Sequence, residues 1–381
     1  MSEQTGAALT GGTNLPAEEQ NDARVSPNAS SPASDQSILR VENLHTYFFT
    51  DLGISRALNG VSLQVPTGKV LGVVGESGCG KSVTALSVMR LVPHPGRVVK
   101  GHIYLRRARR RHGNFSMDEE IELTALDPNG PVIRSIRGAE IAMIFQEPMT
   151  SLNPSYTIGD QIAEAVILHQ EVTKAEAIER AAIMLDRVGM PNPRAVVTRY
   201  PHELSGGMRQ RAMIAMALSC TPSILFADEP TTALDVTTEA QILDVMRELQ
   251  NELGMTTVFI THNLGVVAQM CDNVAVMYLG RVVEQAPVEG LFYDPQHPYS
   301  KALLRSIPHV GSRTRARLEP IRGVVPDPYS SISGCPFHPR CDSFIPGTCD
   351  ICVPAMTHTK NGHAVRCFLY SDEEEENHVT I

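Results

Sequence analysis

The sequence carries no excess of positive charge: 33 Lys and Arg stand against 42 Asp and Glu, a net charge of -9. Broad nucleic-acid binding needs many cations to neutralise phosphates, so no nucleic-acid partner is expected. Nor is there an uninterrupted apolar run near the ~20 residues that a helix needs to span a bilayer, and any membrane role should be peripheral. The start, "MSEQTGAALTGGTNLPAEEQ", lacks the basic segment and apolar core of a secretory signal, which points to a cytosolic chain with reduced cysteines. Cysteine itself is scarce, with three in the first 334 residues; five more then crowd the tail at 335, 341, 349, 352 and 367. No internal repeat and no heptad run is found.

What is present reads as an ordinary soluble protein, 42% hydrophobic and 20% charged over 381 residues, enough for one large or two modest domains. Residues 1–38, rich in Ser, Ala, Asn, Gly and Pro, are expected to be a disordered leader. Order should begin at the alternating "ILRVENLHTYFF". Short apolar runs then recur as candidate buried strands: "VLGVV" (70–74), "IAMIF" (141–145), "ILFAD" (224–228), "TVFIT" (257–261) and "VAVMYL" (274–279). Helical patterns lie between them. One opens on a capping box at Thr173 and aligns Ile178, Ala181, Leu185 and Val188. Another aligns Ile242, Val245, Met246, Leu249 and Leu253, with Gly254 as its C-cap. Buried strands alternating with amphipathic helices indicate an α/β domain around a mostly parallel sheet. "RRARRR" (106–111), followed by "MDEEIE", reads as a solvated hairpin loop or insertion, with contact to an anionic surface as the sharper alternative; "SDEEEENHVTI" reads as a solvated acidic end.

The chemistry concentrates in a few motifs. "GESGCGKS" (75–82) follows one apolar strand and precedes a helical pattern, the context in which G-x-x-x-x-G-K-[ST] is a phosphate loop. Its glycines Gly75, Gly78 and Gly80 let backbone N–H groups curl around phosphate oxygens at a helix N-terminus. Lys81 should reach the β- and γ-phosphates and Ser82 should bind Mg²⁺, while Glu76, Ser77 and Cys79 contribute backbone. "ILFADEP" (224–230) ends a second strand on Asp228, aimed at the metal sphere, and Glu229, placed to orient and deprotonate the attacking water. "LSGGMRQR" (204–211) sets Ser205, Gly206 and Gly207 before an apolar helix, a second helix start suited to anions.

With these residues in place the chain resembles an ATP-binding cassette (ABC) ATPase over roughly residues 39–305. "LSGGM" is similar to the family's signature motif, "FQEP" contains its Q-loop glutamine, Gln146, "ALD" (233–235) matches its D-loop at Asp235, and "TH" (261–262) supplies the switch histidine, His262. Asn263 stands where the family frequently has Asp. The resemblance implies a P-loop NTPase fold, an ABC ATPase domain over 39–300 with an antiparallel β subdomain and a helical subdomain inserted at about 147–222. It implies ATP and Mg²⁺ as cofactors, with Ser82, Gln146 and Asp228 on the metal, Gln146 and His262 acting with Glu229, and Phe48 stacking on adenine between Tyr47 and Phe49. It also implies a head-to-tail dimer in which ATP on Lys81 of one subunit is capped by Ser205, Gly206 and Gly207 of the other.

Within the superfamily, "IFQEPMTSLNP", "LSGGMRQRAMIAMAL", "DEPTTALDV", "HPYSKALLRSIP" (297–308) and "GCPFHPRC" (334–341) resemble the oligopeptide/dipeptide importer ATPases, extending the likeness to about residue 370. This implies an ATPase at the cytoplasmic face of the inner membrane. Its partners would be two permease subunits, a second ABC ATPase in a homo- or heterodimer, and an extracytoplasmic solute-binding protein. The solute stays open among peptides, nickel, glutathione and sugars. A soluble ABC ATPase of translation or DNA repair is the alternative, disfavoured by the single set of motifs, and an iron–sulfur redox enzyme is a third, disfavoured by the lack of any other cofactor motif.

The resemblance assigns 301–370 to a small Cys-rich C-terminal extension, followed by the acidic tail 371–381. Five cysteines close in sequence exceed casual core packing, and disulfides are disfavoured in a reducing compartment. By spacing alone, Cys335, Cys341, Cys349 and Cys352 as a zinc site and Cys335, Cys341, Cys349 and Cys367 as a cubane site stand equal. The importer resemblance favours the second, a [4Fe–4S] centre.

Overall fold

The computed structural model describes residues 37–111, 114–146, 151–232, 234–306, 321–327, 329–330 and 332–373, with backbone alone at 108–111, 114–118 and 372–373. All of these fall within one compact unit, Gln36–Ile381. The expected leader lies outside the described residues up to 36, as do Ala233 of the "ALD" motif, residues 147–150, 307–320 and most of the acidic tail.

The first sheet is antiparallel, in the order β2-β1-β4-β5, built from β1 (Ser37–Thr50), β2 (Gly53–Pro66), β4 (Gly96–Arg111) and β5 (Asn114–Glu122). Ser37 and Ile38, assigned to the leader by composition, are buried at the start of β1. The arginine run is not a loop. It forms the last six residues of β4, in register with the acidic β5, so that Arg106 faces Glu120 and Arg107 faces Glu119. Opposite charges across a strand pair stabilise the pairing. Arg107 also reaches Glu140, with Nε 3.0 Å and Nη2 2.5 Å from Oε1.

The second sheet holds the apolar runs. Its parallel part comprises β3 (Val70–Val74), β6 (Ile141–Ile144), β7 (Ile224–Asp228), β8 (Thr256–Ile260) and β9 (Asn273–Tyr278), in the order β9-β3-β8-β7-β6. Alternate residues serve two cores, as strand period demands. Val70, Val74, Leu225, Ala227, Val274 and Val276 face one core with the helices. Leu71, Val73, Phe226, Val258, Ala275 and Met277 face the other, shared with the first sheet. Burial on both faces is why these strands read as continuous apolar runs.

Among the described residues, α3 (Ile158–His169), α4 (Lys174–Arg187), α5 (Pro193–Val196) and α6 (Gly206–Leu218) lie between β6 and β7, after α1 (Lys81–Val88) and α2 (Pro131–Ile136). The capping box at Thr173 forms as its spacing predicts, with Thr173 Oγ1 accepting from Glu176 N and Glu176 accepting from Thr173 N. After β7 comes α7 (Val236–Leu253), capped by Asp235 and closed by Gly254 at φ 61. Next are α8 (Leu264–Met270), α9 (Val288–Tyr293) and α10 (Pro298–Arg305).

The C-terminal segment also joins the sheet. Strand β10 (Arg281–Pro287) pairs antiparallel with β9, and β12 (Ala364–Val365) and β11 (Thr357–His358) continue the same edge. Nothing in the Cys spacing pointed to this pairing.

Candidate functional site

Four parallel strands end side by side, and each delivers a residue singled out by the sequence. The phosphate loop follows β3, Thr261 and His262 follow β8, Asp228 and Glu229 close β7, and Gln146 stands just beyond β6. The carboxyl edge of a parallel sheet is where such folds bind ligands.

The loop 75–82 turns tightly into α1. A Cβ on Gly75 would run into the Met277 carbonyl oxygen, and Gly80 caps α1 at φ 103, with its own Cβ direction blocked by the Ala57 carbonyl. Only glycine fits either position without strain. Lys81 is 6% exposed, and its Nζ donates to the carbonyls of Gly75 (2.8 Å) and Glu76 (3.0 Å). The ammonium is thus pinned inside the curl of the loop, where a phosphate would compete for it. Cys79 is buried, and burial raises its thiol despite the nearby Lys81.

Glu229 is the hub. His262 Nδ1 lies 3.0 Å from its Oε1, while Gln146 Nε2 (3.1 Å) and Thr232 Oγ1 (2.9 Å) donate to Oε2. Its φ of 46 is uncommon for a residue with a side chain, and its N–H is held by the Ile260 carbonyl at 2.8 Å. Strain of this kind persists where the surroundings over-determine it. Burial pushes the Glu229 carboxyl up, but hydrogen bonds from His262 and Thr232 and the charges of His262 and Lys81 outweigh it and lower it. Thr232 was not foreseen; its signal is the Glu-x-x-Thr spacing within "DEPTT".

Asp228 behaves differently. Burial raises it, opposed by a hydrogen bond from Ser82 and the charge of Lys81, and its Oδ1 is buried with no hydrogen-bond partner. An orphaned, desolvated carboxylate oxygen beside a hydroxyl is costly unless a cation satisfies it. The donor set of Asp228 and Ser82 therefore fits Mg²⁺, a hard cation that prefers oxygen ligands.

Phe48 lines a pocket of about 250 Å³ together with Gly78, Gly280 and, from the C-terminal segment, Asp327, Ser330 and Gly334. Ser205 caps α6 by accepting from Met208 N at 3.4 Å, with Gly206 and Gly207 following it. A Cβ on Gly206 would meet nothing within 4 Å, whereas one on Gly207 would lie 2.9 Å from Thr238. Asp235 accepts from Thr238 Oγ1 at 2.7 Å and from Thr238 N at 3.0 Å, which together lower its carboxyl. Asn263 caps α8 through Gly265 N at 3.0 Å, so the amide does the local work of an aspartate.

The fold gives physical content to the "HPY" stretch, His297 to Tyr299. His297 is 1% exposed, caps α10 by accepting from Tyr299 N at 3.0 Å, and gives its own N–H to Glu284. The fully buried Tyr299 hydroxyl accepts from Glu76 N at 2.9 Å, within the phosphate loop. Tyr299 and Tyr278 pack 4.7 Å apart, with Phe337 5.2 Å from Tyr278.

Among the described residues no group of three or more His, Cys, Asp or Glu is arranged to hold a metal ion, so neither cysteine set forms a finished ligand shell. Four of the thiols are nevertheless electrostatic neighbours. Burial, with smaller contributions from Cys335, Cys341 and Cys349, raises Cys367 to about 11. Burial raises Cys341 too, with Cys335 and Cys349 adding to it. Cys335 N donates to the Cys349 carbonyl at 2.8 Å, whereas Cys352 is exposed. No described helix is long and apolar enough to cross a membrane.

Comparison with known proteins agrees with this geometry. The ABC transporter family matches residues 58–232, and the oligopeptide/dipeptide transporter C-terminal region matches 283–349. An ATP-binding protein of Brucella abortus named for peptide import is 48% identical over 345 residues, covering 89% of this chain and 99% of that one. The dipeptide transport ATP-binding protein DppD of Bacillus subtilis is 45% identical over 341 residues, covering 89% and 97%. A solved ATP-binding cassette dimer, in a post-hydrolysis state bound to ADP and Pi, superposes with a TM-score of 0.56 at 25% identity, covering 66% of this chain and 98% of that one. The chain therefore belongs to the ABC transporter ATPases that carry the oligopeptide/dipeptide C-terminal region, and its enzymatic activity is the hydrolysis of ATP.

Proposed function

We propose that the protein powers a peptide importer, coupling ATP binding and hydrolysis to uptake through separate permease subunits at the cytoplasmic face of a membrane. The observation that carries this reading is that relatives named for peptide and dipeptide transport align with 89% of the chain, including its C-terminal region. A second ATPase subunit would complete the site, with Ser205, Gly206, Gly207 and Asp235 facing nucleotide held by the other subunit. An extracytoplasmic binding protein would deliver the solute.

In this reading Lys81 and the N–H groups of 75–82 hold the phosphates, and Phe48 stacks on the base. Ser82, Asp228 and Gln146 hold Mg²⁺, which when bound neutralises charge on the phosphate oxygens. Glu229 takes the proton of the attacking water. His262 holds Oε1 while Gln146 and Thr232 hold Oε2, which orients the carboxylate and leaves Oε1 with a lone pair for the water. Cys335, Cys341, Cys349 and Cys367 are read as ligands of a [4Fe–4S] cluster on the chemistry of four thiolates alone, since among the described residues no such group is placed to hold a metal ion.

Uptake of a labelled dipeptide by cells producing the chain with its permease tests the reading. Lys81→Ala should abolish ATP-dependent uptake and leave permease copurification intact. Unchanged uptake, or failure to copurify with any permease subunit, would overturn it.

A further inference from the structure

Every polar group of Glu76 is occupied by a partner. Its N–H goes to Tyr299 Oη at 2.9 Å and its carbonyl to Lys81 Nζ at 3.0 Å. Its carboxylate receives both terminal nitrogens of Arg340, Nη1 to Oε2 at 2.8 Å and Nη2 to Oε1 at 3.0 Å. Arg340 lies in "GCPFHPRC", between Cys335 and Cys341, and its side chain is only 3% exposed. It is itself held in place: Nε donates to the Arg322 carbonyl at 2.8 Å and Nη1 to Tyr278 Oη at 3.3 Å. Phe337, three residues earlier, anchors the short turn His338–Arg340 against Tyr278 and Tyr299.

A carboxylate at position 76 is awkward in a loop that takes up a polyphosphate, because like charges repel most strongly where water is sparse. The bidentate guanidinium removes that repulsion and fixes the side chain in one geometry. The same segment supplies Asp327, Ser330 and Gly334 to the pocket beside Phe48 and Gly78. Two separate contacts thus bring the C-terminal extension to the nucleotide site of its own chain.

We propose that Arg340 is a positioning residue for nucleotide binding: by pairing with Glu76 it neutralises and shapes the phosphate loop, making the C-terminal extension part of the nucleotide site in cis. This rests on the reading of 75–82 as the phosphate loop. The segment bearing Cys335 and Cys341 is then mechanically tied to ATP affinity.

The test is equilibrium binding of a fluorescent ATP analogue to the full purified chain, with steady-state hydrolysis alongside. Arg340→Met should weaken binding by roughly ten-fold or more, raising KM more than it lowers kcat. Glu76→Gln in that background should restore most of the affinity, because it removes the uncompensated charge; measured against Glu76→Gln as its own reference, the loss of Arg340 should cost far less than it does in the wild type. Such non-additivity is the signature of a coupled pair, and loss of packing alone would not produce it. If Arg340→Met does not fold, Arg340→Lys, which keeps the charge and loses the fork, should give intermediate weakening, again relieved by Glu76→Gln. Unchanged affinity in the Arg340 variants, or weakening that Glu76→Gln does not relieve, overturns the proposal. Lys81→Ala separates the two readings. If it binds nucleotide normally, the phosphate-loop assignment falls; if it alone loses binding, only the role of Arg340 falls.

Discussion

His262 Nδ1 and Glu229 Oε1 stand 3.0 Å apart at the ends of neighbouring parallel strands, 33 residues apart in sequence. The imidazole holds one carboxylate oxygen while Gln146 and Thr232 hold the other. Substitution of Glu229 by Gln preserves these hydrogen-bonding contacts in part and removes the base. Glu229→Gln should therefore retain ATP binding while slowing hydrolysis at least ~10²-fold. Turnover near normal in a single-turnover phosphate-release assay would take Glu229 out of that role.

His262 also lowers the Glu229 carboxyl, although burial opposes it. A carboxylate whose pKa is depressed stays ionised to lower pH, so the acid limb of kcat should lie below the ordinary carboxylate range. Removing the imidazole in His262→Ala should shift that limb upward while reducing the rate. A limb that does not move would show that the hydrogen bond has no influence on the titration.

Gln146 donates to the Glu229 carboxylate and precedes, along the chain, the helices between β6 and β7. Gln146→Ala should therefore damage solute-stimulated hydrolysis in the assembled transporter more than it damages ATP affinity. Stimulation and transport that both survive intact would remove Gln146 from the coupling.

Burial pushes His297 down to about 3, and its Nδ1 accepts a hydrogen bond, as only the neutral ring can. The folded-state value lies below the unfolded ~6.5, so protons bind the unfolded chain preferentially as pH falls below about 6.5. Stability is full above that value and is lost progressively towards pH 3. Between pH 7 and pH 5 this one group should cost on the order of 2 kcal/mol. Urea melts of wild type and His297→Asn should differ in their pH slope over that window, the variant being flatter. Equal slopes would show that the ring is not held neutral.

If the four tail thiols ligate a cluster, anaerobically purified protein should be brown, absorb broadly near ~400 nm and hold about four irons per chain. Cys367→Ser should lose the colour and Cys352→Ser should keep it. Stoichiometric zinc without iron, or loss of metal in the Cys352 variant alone, would assign the other set.

The nucleotide motifs were legible because each needs a residue type that nothing else replaces: glycine where a Cβ strikes Met277 or Ala57, and acid at a strand end. Position along the chain also told which strand end each would occupy, and the parallel order β3-β8-β7-β6 then gathered them. The arginine run misled because charge pattern alone does not distinguish a solvated loop from a strand whose partner bears the opposite charge. Arg340 and Tyr299 were invisible for another reason. Their partner, Glu76, lies far away in sequence, and a single arginine or tyrosine announces no such reach. The pairing of β12 with β10 is two residues long and leaves too little pattern to read.

The contact between Glu76 and Arg340 spans 264 residues of chain, and this orders the protein's biosynthesis. At roughly 5–20 residues per second, translation leaves a lag on the order of 10–50 s between the making of the loop and the making of the arginine that completes it. A nascent chain or a fragment cut before residue 340 carries Lys81, Asp228 and Glu229, yet its loop bears an unpaired carboxylate. Such a species should hold ATP poorly, so that spending of ATP awaits a chain that has emerged nearly whole.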